Sequence, residues 1–386
     1  MEGFFTQGPI SVLSLIFLLG IVVVVHELGH YWAGRMFGAA AESFSVGFGR
    51  SIFERKDKRN TRWRINWIPL GGFVKFVGEH QMPGDAGRIE TAPVGRPFHE
   101  LTVGQRSIVL LAGPIANFIL AMVIFAALAF ALGKPIERVT IGAVNEGGPA
   151  AEAGFEVGDI ILAIDGKTIT DNGQVRRTIQ LSTGDDLVVT VERDGAPIDL
   201  SVTPVRMAVD NGLGQTNQVG AINVGLGVQR VDHESFGLLG SLRQGIVQTG
   251  DVIVLTGKVL GRMVTGREPL NQLSGPVGIG DLAGKAVQAT LSIEEVPLSQ
   301  RLLLVSLNLI NICAFVSVGI GLFNLLPLPV LDGGHLMFNA YEAVVGDTVP
   351  ARIQETALTI GLVLLFTVAV IVTWGDIVET GILGGA

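Results

Sequence analysis

Four stretches of this chain are long and apolar enough to cross a bilayer: residues 10–30, 107–132, 302–326 and 357–374. A hydrocarbon core about 30 Å thick is spanned by about 20 apolar residues in a helix, which pairs every backbone N–H and C=O within the segment. The four stretches therefore restrict the chain to a polytopic helical membrane protein with parts outside the bilayer. Charge agrees: 16% of the residues are charged, where a soluble domain carries about 25%. The net charge of −8 argues against nucleic acid as a partner, because phosphate binding needs a concentrated basic face. The single cysteine, Cys313, rules out an intrachain disulfide and, lying in an apolar run, reads as a packing residue rather than a reactive thiol.

The first stretch reads as a retained span and not as a cleaved leader. The nine residues before it hold no Lys or Arg, and it ends in His26, Glu27 and His30 rather than in a small-residue cleavage site. Residues 31–106 carry 12 Lys and Arg against 7 Asp and Glu, whereas neither the N-terminal nine residues nor the segment after Trp374 carries any. Positive charge marks the cytoplasmic side. The expected topology puts residues 31–106 in the cytoplasm, with both termini and the long loop between the second and third spans outside.

The first span ends in His26-Glu27-Leu28-Gly29-His30. Two histidines four apart share one helical face and can share a metal, with the intervening Glu as general base toward water. Ionisable residues in a span are costly and mark function. The plainer alternative is a helix end with two interfacial histidines. From residue 10 to 26 a helix rises roughly 24 Å, which puts the pair in the cytoplasmic third of the membrane.

Catalytic zinc usually takes three protein ligands and keeps one position open. Glu42 is a candidate third ligand by proximity in sequence. Asp332 is preferred, in Asn324-Leu-Leu-Pro-Leu-Pro-Val-Leu-Asp-Gly-Gly-His335. With these directions, the end of the third span returns to the side of His26 and His30. Pro327 and Pro329 break the helix, and Gly333 and Gly334 permit a tight backbone. Broken helix at membrane depth is tolerated where it is buried or lines a wet cavity, as a hydrolytic site requires. His335 is a conceivable fourth ligand, although three leave the open position.

These paired motifs resemble the site-2 protease family, of the bacterial regulator-of-sigma-E protease type. Leu111-Ala-Gly-Pro-Ile-Ala-Asn117, Leu273-Ser-Gly-Pro-Val-Gly-Ile279 and Thr373-Trp-Gly-Asp376 add to the likeness. The resemblance implies that His26, His30 and Asp332 hold Zn2+, that Glu27 is the catalytic base and that Asn324 helps to hold the substrate backbone. Asn117 carries over less securely; it serves equally as a polar residue of helix packing. Further implied are single-pass membrane substrates such as anti-sigma factors or signal-peptide remnants, trimmed first by another protease, and a place in the bacterial inner membrane.

Outside the spans, Trp63, Ile65 and Trp67 alternate with Arg62, Arg64 and Asn66, Pro69–Gly72 form a turn signal, and Phe73-Val-Lys-Phe-Val77 follows. This reads as a β-hairpin, which the resemblance implies is membrane-associated. Residues 80–100 read as a flexible loop with surface histidines His80 and His99. The run Pro149-Ala-Ala-Glu-Ala-Gly154, then Gly158-Asp-Ile-Ile and Ile164-Asp-Gly166, resembles a bacterial PDZ domain, a peptide-binding module. Residues 236–268 have helical periodicity and read as an amphipathic helix on the outer membrane surface.

The expected fold is a polytopic α-helical membrane protein with four transmembrane helices, a membrane-associated β-hairpin and an inserted PDZ (α+β) domain. Its expected parts are 1–133 (two spans and the hairpin loop), 134–207 (PDZ), 208–300 (linker with the amphipathic helix) and 301–386 (the last two spans). The rival readings are an inactive PDZ-presenting scaffold, a metal transporter and a tethered protease for soluble substrates. A transporter would need polar residues continuing through the other spans, and these are few.

Overall fold

The computed structural model describes residues 2–78, 93–210, 216–266 and 275–379. In chain order, helix α1 (Glu2–Met36) leads into strands β1 (Ala41–Lys56) and β2 (Arg62–Phe76), then α2 (Val103–Leu132). There follow β3 (Lys134–Val144), α3 (Pro149–Glu152), β4 (Ile160–Ile164), β5 (Lys167–Thr168), α4 (Asn172–Leu181), β6 (Leu187–Arg193) and β7 (Ala196–Val202). Next come β8 (Val205–Asp210), β9 (Thr216–Ala221) and β10 (Val224–Glu234). The chain ends with α5 (Leu238–Val264), α6 (Pro276–Leu291), α7 (Leu298–Asn324), α8 (Asp332–Val345) and α9 (Ala351–Glu379). Two compact units result: Met1–Ala127 with Leu242–Gly257 and Leu273–Ala386, and Leu128–Ser241 with Lys258–Gln272.

In the first unit, four helices among the described residues are long and apolar enough to span: Gly8–Met36, Val103–Leu132, Leu298–Asn324 and Ala351–Ile377. Each is longer than the apolar stretch read from sequence. The third ends at Asn324, two residues before its expected end, because the turn ahead of Pro327 and Pro329 begins there. The spans keep apolar side chains outward: Leu13, Ile119, Leu303, Val363 and Phe366 are all exposed. Such a surface calls for hydrocarbon as its solvent. Their inner faces hold α6 in place, with Leu18, Val22, Ala283 and Cys313 forming one buried cluster. The N-terminus of α6 is capped from α9, where the buried Asp376 carboxylate accepts the N–H of Gly275 at 3.2 Å and of Gly278 at 2.8 Å.

The expected amphipathic segment is α5, but it does not simply lie on a membrane surface. Val252 is buried with Ala121 and Phe125 of α2 and with Ala314 and Val318 of α7. The absence of a side chain at Gly245 brings α5 against α2, since a Cβ there would meet the Met122 carbonyl oxygen at 2.5 Å.

The hairpin also needs correction. Residues 62–67 and 73–76 do not pair with each other; both belong to β2 and flank β1. Phe44 faces Val74 on one side and Trp63 on the other, while Trp63 also faces Arg55. The two long strands thus bend into a sheet four segments wide. A sequence reading that looks for partners across the nearest turn misses β1, whose Ser, Gly and Phe residues lack clear alternation. An aromatic cluster pins this sheet to α1: Tyr31 meets Phe44 and Trp63 edge-on at centroid distances of 5.9 and 5.2 Å, and Phe44 stacks on Trp63 at 4.5 Å. Asp57, at the β1–β2 turn, accepts the Tyr31 hydroxyl and the Trp63 indole N–H, both at 3.3 Å. Of the expected flexible loop, residues 80–92, His80 among them, lie outside the described residues. His99 sits in a single helical turn, its Nδ1 3.2 Å from the Gly78 carbonyl oxygen.

The second unit is built on a six-stranded sheet in the order β10-β3-β4-β6-β7, with β5 on β4, beside a separate β8–β9 pair. Val139, Ile141, Ile161, Val175, Val189 and Val191 form its buried core. Asp171 caps α4 by accepting the Gln174 N–H at 2.8 Å. The unit continues beyond residue 207, where a linker was expected, because β10 returns to pair along the whole of β3. The Gly-rich run Val224-Gly-Leu-Gly-Val228 carries a weak strand signal alone and gains its order from that pairing.

Candidate metal centre

Each piece of the centre has a local reason for its place. His26 and His30 lie on one face of α1 and are both buried. Asp332 is the first residue of α8, after the turn that ends α7. The turn needs its two glycines: a Cβ on Gly333 would overlap the carbonyls of Leu325 and Leu326, and one on Gly334 that of Leu328. Two contacts tie α8 to the start of α2. Arg106 donates to the Glu342 carboxylate at 2.5 Å, and the Asn339 amide donates to the Ser107 hydroxyl at 3.1 Å.

Three ligand-type atoms converge as a result. His26 Nε2 is 3.2 Å from Asp332 Oδ2, His30 Nε2 is 3.4 Å from it, and the two Nε2 atoms are 3.1 Å apart. Tetrahedral ligands about 2.0–2.1 Å from zinc lie about 3.3–3.4 Å from each other, so the three distances fit such an ion. Asp332 Oδ2 is buried and makes no well-formed hydrogen bond. A bare buried carboxylate oxygen against two imidazole nitrogens is a donor set that a divalent cation would satisfy. Among the described residues, this is the cluster of His, Asp and Glu side chains able to hold a metal.

Around it, His30 Nδ1 donates to the Val109 carbonyl of α2 at 2.8 Å, which leaves Nε2 unprotonated for a metal. The Asn324 amide, at the end of α7, is 3.2 Å from His26 Nε2. The Asn117 amide is 3.3 Å from His26 Nδ1. Glu27 is half-buried beside the pair. Gly72 is close enough that a Cβ there would touch Glu27 Cγ at 3.4 Å.

The residues singled out from the sequence thus fall into two groups. His26, Glu27, His30, Asn117, Asn324 and Asp332 come together. Glu42 does not join them: its buried carboxylate is paired with Arg62 at 2.6 Å and Lys75 at 3.3 Å inside the β1–β2 sheet. His335 lies one turn into α8 with its ring edge-on to Phe338. The Val109 carbonyl, Gly113 and Gly72 of β2 were not foreseen. A carbonyl has no side-chain signal; Gly113 lies within the recognised Leu111–Asn117 run.

The fold and this centre define a membrane metalloprotease. Residues 14–368 match the profile of peptidase family M50, and the chain belongs to that family. The chain is 37% identical over 374 residues to a Brucella suis protein named as a candidate zinc metalloprotease, with 95% of each covered. It is likewise 37% identical over 388 residues to the metalloprotease MmpA of Caulobacter vibrioides, again with 95% of each covered. Among solved structures, the PDZ domain of an SdrC-like protein from Listeria monocytogenes is 20% identical, with 23% of this chain and 86% of that chain covered and a TM-score of 0.20.

Proposed function

We propose that this chain is a zinc-dependent intramembrane endopeptidase that cuts single-pass membrane proteins. The observation that carries the proposal is the convergence of His26 Nε2, His30 Nε2 and Asp332 Oδ2 to 3.1–3.4 Å within the last three turns of a helix long and apolar enough to span, with Glu27 alongside. His26, His30 and Asp332 hold the metal. When bound, zinc acts as a Lewis acid there and lowers the pKa of water into the neutral range. Glu27 takes a proton from the attacking water as it adds to the scissile carbonyl, then returns that proton to the leaving amine nitrogen. Asn324 hydrogen-bonds to the substrate backbone beside the reacting bond.

A peptide bond inside a helix is shielded, so the substrate must be extended before attack. Gly72 of β2, against Glu27, supports strand addition as the way an unwound segment is received. The sheet of the second unit ends at β10, an edge on which an extended peptide could add as a strand. This supports reading the unit as a peptide-binding PDZ domain. The charge distribution supports a bacterial inner-membrane protein with residues 31–106 in the cytoplasm and the PDZ domain and both termini outside. The substrates are anti-sigma factors or signal-peptide remnants whose external part another protease has removed.

The test is cleavage of a single-pass reporter by purified protein in detergent, wild type beside Glu27→Gln, with and without a chelator. The reporter has helix-weakening residues in its span and almost no external domain. Cleavage by wild type alone, lost on chelation, is the expected result. Cleavage that survives Glu27→Gln overturns the mechanism.

A further inference from the structure

We propose that Asn117 is the positioning residue of His26: its side-chain oxygen takes the Nδ1 proton and so holds Nε2 bare and aimed at the metal. The inference rests on the reading that His26, His30 and Asp332 hold zinc.

Helix α2 presents Val109, Gly113 and Asn117 at intervals of four, on one face. All three meet the histidine pair. Val109 takes the Nδ1 proton of His30 through its main-chain carbonyl at 2.8 Å. Gly113 leaves room for both rings, since a Cβ there would overlap His30 Nε2 and come within 2.9 Å of His26 Cε1. Asn117 stands one turn further along, its amide 3.3 Å from His26 Nδ1. Each of the two histidines thus has one partner on the same face of α2.

The chemistry of imidazole decides which end of the amide is used. A neutral histidine that ligates through Nε2 carries its proton on Nδ1 and must donate it. An amide NH2 turned to Nδ1 would force the proton onto Nε2, where it would point at Asp332 and His30 and block ligation. The amide oxygen is the acceptor at hand: Asn117 Oδ1 is buried and has no hydrogen-bond partner, and Asn117 is 0% exposed. A half-turn of the amide brings Oδ1 to Nδ1 with no change of shape.

Simple helix packing does not account for this side chain. The polar tie between α2 and α7 runs from the Ser317 hydroxyl to the main-chain oxygen of Asn117, at 2.9 Å. Any residue at 117 would keep it.

The experiment compares zinc binding by the metal-free full-length protein in detergent, titrated against a competing chelator, for wild type, Asn117→Leu and Asn117→Asp. Melting of each metal-free protein is recorded in parallel. Asn117→Leu is expected to weaken zinc binding by about 10- to 100-fold with the metal-free melting point close to that of wild type. Asn117→Asp keeps an acceptor and is expected to bind within a few-fold of wild type or more tightly. Zinc binding by Asn117→Leu within twofold of wild type overturns the inference while leaving the metal site standing. Equal weakening in both variants, each with an equal fall in metal-free stability, also overturns it in favour of packing. If Asn117→Leu does not fold, Asn117→Asp decides alone, with weakening beyond tenfold counting against. Failure of wild type itself to bind zinc removes the metal reading and this inference together.

Discussion

Gly113 of α2 lies so near His30 of α1 that a Cβ on it would overlap the ring nitrogen Nε2. The clash falls on an atom of the candidate metal centre, and the groups around it are fixed: His30 is held from behind by Val109, and Gly113 sits in helical backbone. Gly113→Ala must therefore push the two helices apart or turn the ring. A displacement on the order of 1 Å in such a centre costs about 100-fold in rate. The expected result is a protein that still inserts and folds, with zinc affinity and cleavage both reduced at least tenfold. Retained affinity would show that the ring has room the geometry does not give it.

The candidate metal centre was legible because its signals are local. His26 and His30 lie four apart, and the breaks at Pro327, Pro329, Gly333 and Gly334 surround Asp332. Its supports were not, because they reach across sequence: Val109 meets His30 with a main-chain atom, and Gly72 of β2 lies against the Glu27 side chain. The four spans could be read from hydrophobicity alone, since lipid imposes both length and composition. The β1–β2 sheet was misread for the converse reason. Its pairing is between segments up to 35 positions apart, as Ala41 with Phe76, and register shifts break the alternation that a pattern search needs. Two recognised motif pieces, around Gly275 and Asp376, proved to be one contact, a carboxylate of α9 capping α6.

That cap supplies the second prediction. Asp376 accepts two N–H groups at the start of α6, where the helix dipole favours negative charge. Asp376→Ala is expected to lose about 1–2 kcal/mol of stability, read as a lower melting temperature in detergent. Asp376→Asn keeps an acceptor oxygen and should fall between. Zinc affinity of the folded fraction should not change, because no metal ligand is touched. A large loss of zinc binding at unchanged stability would contradict the assignment of Asp376 as a cap.

The pair Arg106–Glu342 anchors α8, which begins with Asp332, so its loss should be felt at the metal. Both side chains are largely shielded, with 16% and 19% exposure. Glu342→Gln is expected to cost about 2 kcal/mol and to weaken zinc binding several-fold. The reversed pair Arg106→Glu with Glu342→Arg should recover part of both. Loss of stability with zinc binding unaltered would mean that the turn before Asp332, and not α8, fixes that ligand.

In the second unit, the hydrogen bond from Arg193 holds the Asp159 carboxyl below the usual carboxylate range. A carboxyl whose pKa is lower folded than unfolded stabilises the fold above its unfolded pKa, about 3.9, and loses that contribution as pH falls through the folded value. Amide hydrogen exchange of β4 and β6 in the full-length protein should thus accelerate as pH is lowered below about 4, after correction for the intrinsic rate. Asp159→Asn should exchange faster at neutral pH and lose much of that acid dependence. An unchanged acid profile in the variant would assign it to other carboxylates.

Metal removal separates binding from chemistry. A ligand held only by the folded state stabilises it by RT ln(1 + [L]/Kd), about 2.7 kcal/mol at a hundredfold excess over Kd. Dialysis against a chelator should lower the melting temperature of wild type by several degrees, and zinc should restore it. Glu27→Gln leaves the three ligand atoms in place, so it should show the same zinc-dependent shift and no cleavage. His30→Ala should show neither, since one of the three converging atoms is gone. A Glu27→Gln protein that no longer responds to zinc would make Glu27 part of the binding site, and the proton transfers would then need another carrier.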